Sequence, residues 1–456
     1  MHQRGIFVSE FSVGVPNVAC SVTLSPVGVQ LRMRCLVLLI LWVTACGSNQ
    51  VSSELGTSGG RVGAVAAAAS GGAPSTGGLK SAGGATVGTT RGTIATGGTS
   101  ATGGAPSTGG VTNTKLVVKL ISAGSYRTCI LLSDTTVQCW GAGYNGDGTS
   151  IDSSAPVKVT GISNAIAIAV AGYNTCVVLS GGAVQCWGQN DYEQLGNNTI
   201  PFSTTPISVS GVTNAIAVAG GALQACVALS GGAAQCWGNN VDGELGNGST
   251  INSSVPVSVT GITNAVAVST GYYLACALLK GGSVQCWGNN ADGELGNGTT
   301  TNSAVPVTVS GITNAVALTG TCALLSDGTV QCWGANAGGE LGNGTTTNSS
   351  VPVQVIGITN AVAVSAGGSH TCAVLSSGTV RCWGTNADGE LGVGTMTVGN
   401  SAPVTVSGIT NATAIAAGNT YSCAVLNDST VQCWGSAYLG NGTPTRSLVP
   451  VDAISF

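Results

Sequence analysis

The chain has 456 residues, of which only 7% are charged, and its net charge at neutral pH is −4. Thirteen Lys and Arg scattered over that length do not make a phosphate-binding surface, which excludes nucleic acid as a partner, and two histidines leave little room for acid–base or metal chemistry. Hydrophobic residues reach 43% but aromatic ones only 4%, so a chain long enough for a sizeable core must build it from Val, Ile, Leu and Ala.

In chain order, residues 1–46 read as an N-terminal extension followed by an export signal. Met33 to Cys46 is MRCLVLLILWVTAC, in which an Arg precedes an apolar run from Leu36 to Val43 and small residues precede Cys46. That run is too short to span a bilayer and suits the core of a signal peptide. Residues 43–46, Val-Thr-Ala-Cys, resemble the lipobox of bacterial lipoproteins, which implies lipidation of Cys46 and anchoring in the cell envelope, as an outer-membrane lipoprotein or surface-exposed. Residues 1–32 fit poorly ahead of such a signal, so Met33 is a candidate start. Residues 47–114 are almost entirely Gly, Ala, Ser and Thr, and GGAPSTGG occurs at both 71–78 and 103–110. Such a segment buries too little apolar surface to offset chain entropy and is expected to be a disordered linker, with a root-mean-square span of roughly 45 Å.

Residues 115–456 are periodic. The Trp of a Cys-Trp-Gly motif recurs at Trp140, Trp187, Trp237, Trp287, Trp333, Trp383 and Trp434. Spacings of 46 to 51 residues are those of a propeller or solenoid unit. Residues 357–406 show the unit most fully. Its runs NAVAVS, TCAVL, TVRCW and PVTV are β-branched or alternating and bounded by Gly, Asn or Ser, with no helical period. Seven units of four short antiparallel strands predict an all-β, seven-bladed propeller. The pattern AG..HTCAVLS.GTV.CWG.N..GELG.G resembles the repeat of the regulator of chromosome condensation, in particular its exported bacterial relatives, across residues 116–456. The resemblance implies the same seven-bladed fold. Only the sixth unit keeps the motif's His, as His370. The fifth unit is shorter before Cys322 and the seventh after Trp434, where trimmed loops rather than missing strands are expected.

Each unit holds two Cys ten positions apart. The pairs are Cys129 and Cys139, Cys176 and Cys186, Cys226 and Cys236, Cys276 and Cys286, Cys322 and Cys332, Cys372 and Cys382, and Cys423 and Cys433. Each pair brackets a short turn and so faces across a hairpin, within disulfide reach. Fourteen paired Cys agree with export to an oxidising compartment. Two thiolates without a nearby His cannot complete a zinc shell, and the Asp-Gly-Glu loops lack the ligand spacing of a calcium loop, so no metal and no cofactor are expected. The seven Trp are expected in the core, one per blade.

With the strands of each unit called a, b, c and d, the a–b and c–d loops share one face of the ring, and the b–c and d–a turns share the other. The b–c and d–a turns are near-copies, whereas the a–b loops differ. All eight tyrosines fall in a–b or c–d loops. Aromatics and Arg gathered on one variable face have the composition of an interface, making Tyr126, Arg127, Tyr173, Tyr272, Tyr273, His370 and Tyr421 the candidate binding residues. No catalytic set is visible, so the expected function is a non-enzymatic, surface-tethered protein-binding or scaffold module. Its partner would be a protein or glycan at the cell surface. Nucleotide exchange, as in the family's namesake, and binding or processing of an extracellular polymer are the alternatives.

Overall fold

The computed structural model describes residues 20–22, 33–35, 115–198, 201–436 and 438–453. Two short strands, Cys20–Val22 and Met33–Cys35, pair antiparallel in a unit of their own. The apolar run before Cys46, Cys46 itself and the linker 47–114 lie outside the described residues.

From residue 118 the chain forms seven four-stranded antiparallel sheets, each made of four consecutive strands, as the periodicity predicts. The blades cover residues 118–158, 165–208, 215–258, 265–308, 315–354, 361–405 and 412–452. Blade four is representative, with strands a (Ala265–Thr270), b (Leu274–Leu279), c (Val284–Gly288) and d (Ser303–Thr308). Strand a of each blade packs on strand a of the next, and that of blade seven packs on that of blade one. The first strand, Val118–Ala123, and the last, Ser447–Asp452, therefore belong to adjoining blades and the ring closes. Near its axis, backbone N–H groups of one blade donate to hydroxyls of the blade before it. Val170 donates to Ser122 Oγ (2.9 Å) and Ala417 to Ser365 Oγ (3.0 Å).

Burial grades outward from the b strands, which in blade seven are buried along their whole length, to the d strands, which are partly exposed throughout. The β-branched and Ala-rich runs of a, b and c thus fill the space between blades. Each blade adds one Trp, and all seven are fully buried, so they are core residues as expected.

The Cys pairs sit directly opposite on strands b and c, as Cys276 and Cys286 do in blade four, and the pairing is the one the spacing predicts. Cys129 is bonded to Cys139, Cys176 to Cys186, Cys226 to Cys236 and Cys276 to Cys286. In the last three blades Cys322 is bonded to Cys332, Cys372 to Cys382 and Cys423 to Cys433. Every bridge stays within one repeat, with Cα atoms 4.0 to 4.1 Å apart, closer than the roughly 4.5 Å of an ordinary non-hydrogen-bonded strand pair. Closing a ten-residue hairpin loop contributes about 2–3 kcal/mol per bridge on the chain-entropy argument. Seven disulfides fit an oxidising compartment. Among the described residues no helix is long and apolar enough to cross a membrane.

Trimmed loops leave the strand count intact. In blade five only Gly320 and Thr321 join strands a (Ala315–Thr319) and b (Cys322–Leu325). The c–d loop of blade seven is short, as expected, and so is that of blade one, which the sequence reading passed over. Both run six residues from the Trp to the Gly that abuts the next blade's Trp (Gly440 and Gly146), against nine in blade three (Trp237 to Gly246).

Candidate binding face

The first residue of strand b sets the character of this face. It lies where an a–b loop enters the blade, and it is filled by Arg127, Asn174, Gln224, Leu274, His370 and Tyr421 in the six blades with a full loop. All six are buried, and five of the six use polar atoms to bind neighbouring backbone or a neighbouring blade. The Arg127 guanidinium donates to the carbonyls of Ala142 (3.0 Å) and Gly143 (2.6 Å) and to Thr175 Oγ1 (3.3 Å). Burial lowers its pKa to about 10, opposed by Tyr421, Tyr144 and Asp152, so it stays cationic at neutral pH. Gln224 Nε2 donates to the carbonyls of Gly271 and Leu274. His370 Nε2 lies 2.8 Å from Ser422 Oγ of blade seven, and burial lowers the imidazole pKa to about 4, which keeps the ring neutral. The Tyr421 hydroxyl donates to the Arg127 carbonyl (2.7 Å) and accepts from Thr128 (2.9 Å), tying blade seven to blade one.

These positions correct the sequence reading. Arg127, His370 and Tyr421 were expected on the surface of the face, yet their side chains are buried between blades and present nothing to a partner. All three are the first residue of strand b, whose side chain turns down the inter-blade seam, whereas Tyr126, Tyr173 and Tyr273 stand one residue earlier.

The other four candidates do come together. Tyr173, Tyr272 and Tyr273 are half-buried and pack on Ala222 and Leu223 of the blade-three loop. The Tyr272 and Tyr273 rings meet edge to face with centroids 4.7 Å apart. Tyr126, with half of its surface exposed, and Tyr192 of the blade-two c–d loop lie close enough to act electrostatically on Tyr272. Desolvation first, and then its tyrosine neighbours, push the Tyr272 hydroxyl up to about 12. Tyr273 is likewise raised, by desolvation and then by Tyr192, Glu244 and Asp242. Tyr173, Tyr272 and Tyr273 therefore form a packed cluster over blade three, and Tyr126 and Tyr192 share its face on blades one and two. Tyr192, 43% exposed, and Leu223 were missing from the sequence-level set; the topology that puts c–d loops beside a–b loops was the signal for Tyr192.

Under the face, a second regularity links the blades. The loop Gly-Glu-Leu-Gly of one blade supplies a backbone carbonyl to the indole of the next. Trp287, Trp333, Trp383 and Trp434 donate to Glu244, Glu294, Glu340 and Glu390 (2.7–2.8 Å), and Trp237 donates to Gln194 (2.9 Å). Trp140 and Trp187 follow the trimmed loops of blades seven and one, and their buried indole N–H groups have no protein acceptor. The carboxyl of Glu244 accepts from Asn239 and from the Asp242 backbone N–H (2.8 Å), and burial raises its pKa to about 7. Among the described residues no three His, Cys, Asp or Glu side chains gather as a metal site.

The opposite end of the ring is less plain than its turns. A bulge at the second residue of every strand a turns aliphatic side chains such as Ile216 (45% exposed) and Val316 (57%) out to solvent.

The regulator of chromosome condensation (RCC1) repeat matches residues 232–278, 281–319, 327–374 and 377–425, and a second form of the same repeat matches 118–147, 265–294 and 361–390. The chain carries RCC1 repeats. Solved structures of similar fold include human WBSCR16, with a TM-score of 0.60 at 20% identity, covering 67% of this chain and 86% of that one. Yeast RCC1 (Prp20) bound to Kap60 gives 0.60 at 18%, covering 74% and 85%. Prp20p from Saccharomyces cerevisiae, described with its binding properties to Gsp1p and histones, gives 0.60 at 19%, covering 74% and 87%. At these identities the likeness establishes the fold alone. No curated protein matches the sequence.

Proposed function

We propose that this seven-bladed array of RCC1 repeats is a non-enzymatic protein-binding module of the cell envelope, held there by a lipid on Cys46 and a spacer at 47–114. The observation that carries the reading is the tyrosine cluster on blades two to four. Half-buried tyrosines on an Ala222–Leu223 base keep apolar surface in water on a rigid platform, the composition of an interface anchor rather than of a solvated loop. A propeller stapled by seven disulfides belongs to an oxidising compartment, which separates it from the cytosolic GTPase that an exchange factor would need. Yeast Prp20 has protein partners, and the same ring architecture is used here for a partner of its own.

The reading is tested by substituting Tyr173, Tyr272 and Tyr273 together with Ser and measuring capture of surface proteins by the immobilised domain. Loss of about 2 kcal/mol or more of affinity for the main captured protein is expected. The same readout should hardly move for Ser180, Ser230 and Ser376→Ala in the b–c turns, or for Ile216→Ser with Val316→Ser at the opposite end. Unchanged binding in the folded tyrosine variant, with loss in either control, places the interface elsewhere. For the anchor, Cys46→Ala is expected to shift the protein from the membrane to the soluble fraction; retention in the membrane rejects the lipid.

A further inference from the structure

The charges of the propeller are divided unequally between its two ends. Of fifteen Asp and Glu in residues 115–456, eleven are in c–d loops, on the tyrosine face, and four lie at the opposite end. Setting aside the buried Glu244, Glu294 and Glu390 leaves eight on the tyrosine face. The seven Lys and Arg divide the other way. Lys115, Lys119, Lys158, Lys280 and Arg381 are at the opposite end, leaving only Arg127 and Arg446 on the tyrosine face. Neither of these two cations offsets the tyrosine cluster's acids. Arg127 is buried against backbone carbonyls, and Arg446 is paired with Asp388 at 2.8 Å on blades six and seven, away from the cluster.

One carboxylate beside the cluster is fixed in place without being neutralised. Asp242 accepts from the amides of Asn289 (3.2 Å) and Asn302 (2.9 Å), both uncharged, and the Asn289 backbone N–H in turn donates to the Tyr273 carbonyl (2.9 Å). Asp191 and Glu193 flank exposed Tyr192 in the same loop and reach solvent. Neutral donors hold the geometry and leave the negative charge for a ligand. Tyrosine faces attract cations through the ring quadrupole, and neighbouring carboxylates add a direct pair; a guanidinium satisfies both, stacking on the ring while its N–H groups reach the acid.

We propose that the partner of the tyrosine face presents an arginine- or lysine-rich protein segment, docked across Tyr192, Tyr272 and Tyr273 between Asp191, Glu193 and Asp242. This rests on the binding-face reading above and adds the chemistry of the occupant. Charge complementarity selects it: an anionic segment would meet unopposed carboxylates, and a neutral glycan would use the rings but gain nothing from the charge division.

The test uses the full chain and a fluorescent oligoarginine peptide as probe, with oligoglutamate and chitohexaose as comparisons. Oligoarginine should bind while the other two do not. Raising the salt from about 0.05 M to about 0.5 M should weaken that binding roughly tenfold or more. Asp191→Asn, Glu193→Gln and Asp242→Asn combined should weaken it by a similar factor, with the melting temperature checked in parallel. Asp327→Asn with Asp428→Asn, which preserve their turns at the opposite end, should change it less than about twofold. Binding of chitohexaose or oligoglutamate in preference to oligoarginine overturns the proposal. So does equal loss in the opposite-end pair. A photo-crosslinker at position 192 separates the two readings. If it captures a native protein whose binding ignores the three neutralisations, the face is an interface but its occupant is not cationic. If it captures nothing while oligoarginine binding depends on the opposite end, both readings fall.

Discussion

Blades two to six and the pair formed by blades seven and one solve the same packing problem differently. In the first group, a full c–d loop passes a Glu or Gln carbonyl to the next blade's Trp; at the seam, the loop is three residues shorter and the indoles of Trp140 and Trp187 go without that acceptor. The seam is tied instead by Tyr421 to the Arg127 carbonyl and by Tyr438 to Asp152 (2.6 Å). The third residue of the b–c turn follows the same division. It is Gly in blades two to six but Thr135 and Ser429 at the seam, all with positive φ. The c–d loops of the regular blades thus repeat one backbone-to-indole bond, whereas closing the ring uses individual side chains.

The largest expected effect comes from the buried acid of the regular loops. Glu244 has its pKa raised from 4.5 to about 7 by burial, so between those pH values the folded chain keeps a proton that the unfolded chain has released. Its contribution is therefore greatest below pH 4.5 and falls as pH rises to 7, by roughly 3 kcal/mol in all. Glu244→Gln should remove this slope, because Gln194 in blade two already holds the equivalent place with its Oε1 accepting from the Tyr192 N–H. Urea midpoints should then favour the variant at pH 8 and match wild type near pH 4.5; parallel curves at both pH values reject the assignment.

At the seam, Tyr421→Phe should cost about 1–2 kcal/mol, since Thr128 loses its buried acceptor and the Arg127 carbonyl keeps only the Gly124 N–H. The comparison between the two kinds of blade is sharpened by Trp→Phe. Trp287→Phe leaves the Glu244 carbonyl unpaired, whereas Trp187→Phe breaks no protein hydrogen bond, so the first should cost about 1 kcal/mol more than the second. Equal losses, measured by denaturant unfolding, would mean that the indole bond contributes nothing net. The smallest effect is Ser429→Gly, expected to stabilise by about 0.5 kcal/mol by relieving a left-handed backbone at φ 70°. Its mirror, Gly282→Ser in blade four, should destabilise clearly, because a Cβ there would stand 2.8 Å from the Asn314 Cα and the Thr313 carbonyl. Thermal melts give both signs.

Strand order, the number of blades, the Cys pairing and the burial of Trp were all legible in the sequence, because each depends on a pattern repeated seven times with period two inside the strands. A Cys ten residues from another across a tight turn has one partner within reach, whatever surrounds the hairpin. The division into two faces followed as well, since antiparallel alternation alone decides which loops share an end. Where side chains in those loops point was left to the tertiary structure. Tyr421 and Tyr273 both belong to a–b loops rich in Gly, yet one is buried against blade one and the other packs at the surface on Leu223. The difference begins with one residue of register: Tyr421 is the first residue of its strand b, the place Leu274 takes in blade four, whereas Tyr273 stands one position earlier. The neighbouring blade then offers a carbonyl and a hydroxyl to the one and an apolar shelf to the other. Position in the repeat separates the buried aromatics from the surface ones, but a single repeat contains no record of its neighbour's shape, so only the packed ring decided what each of them touches.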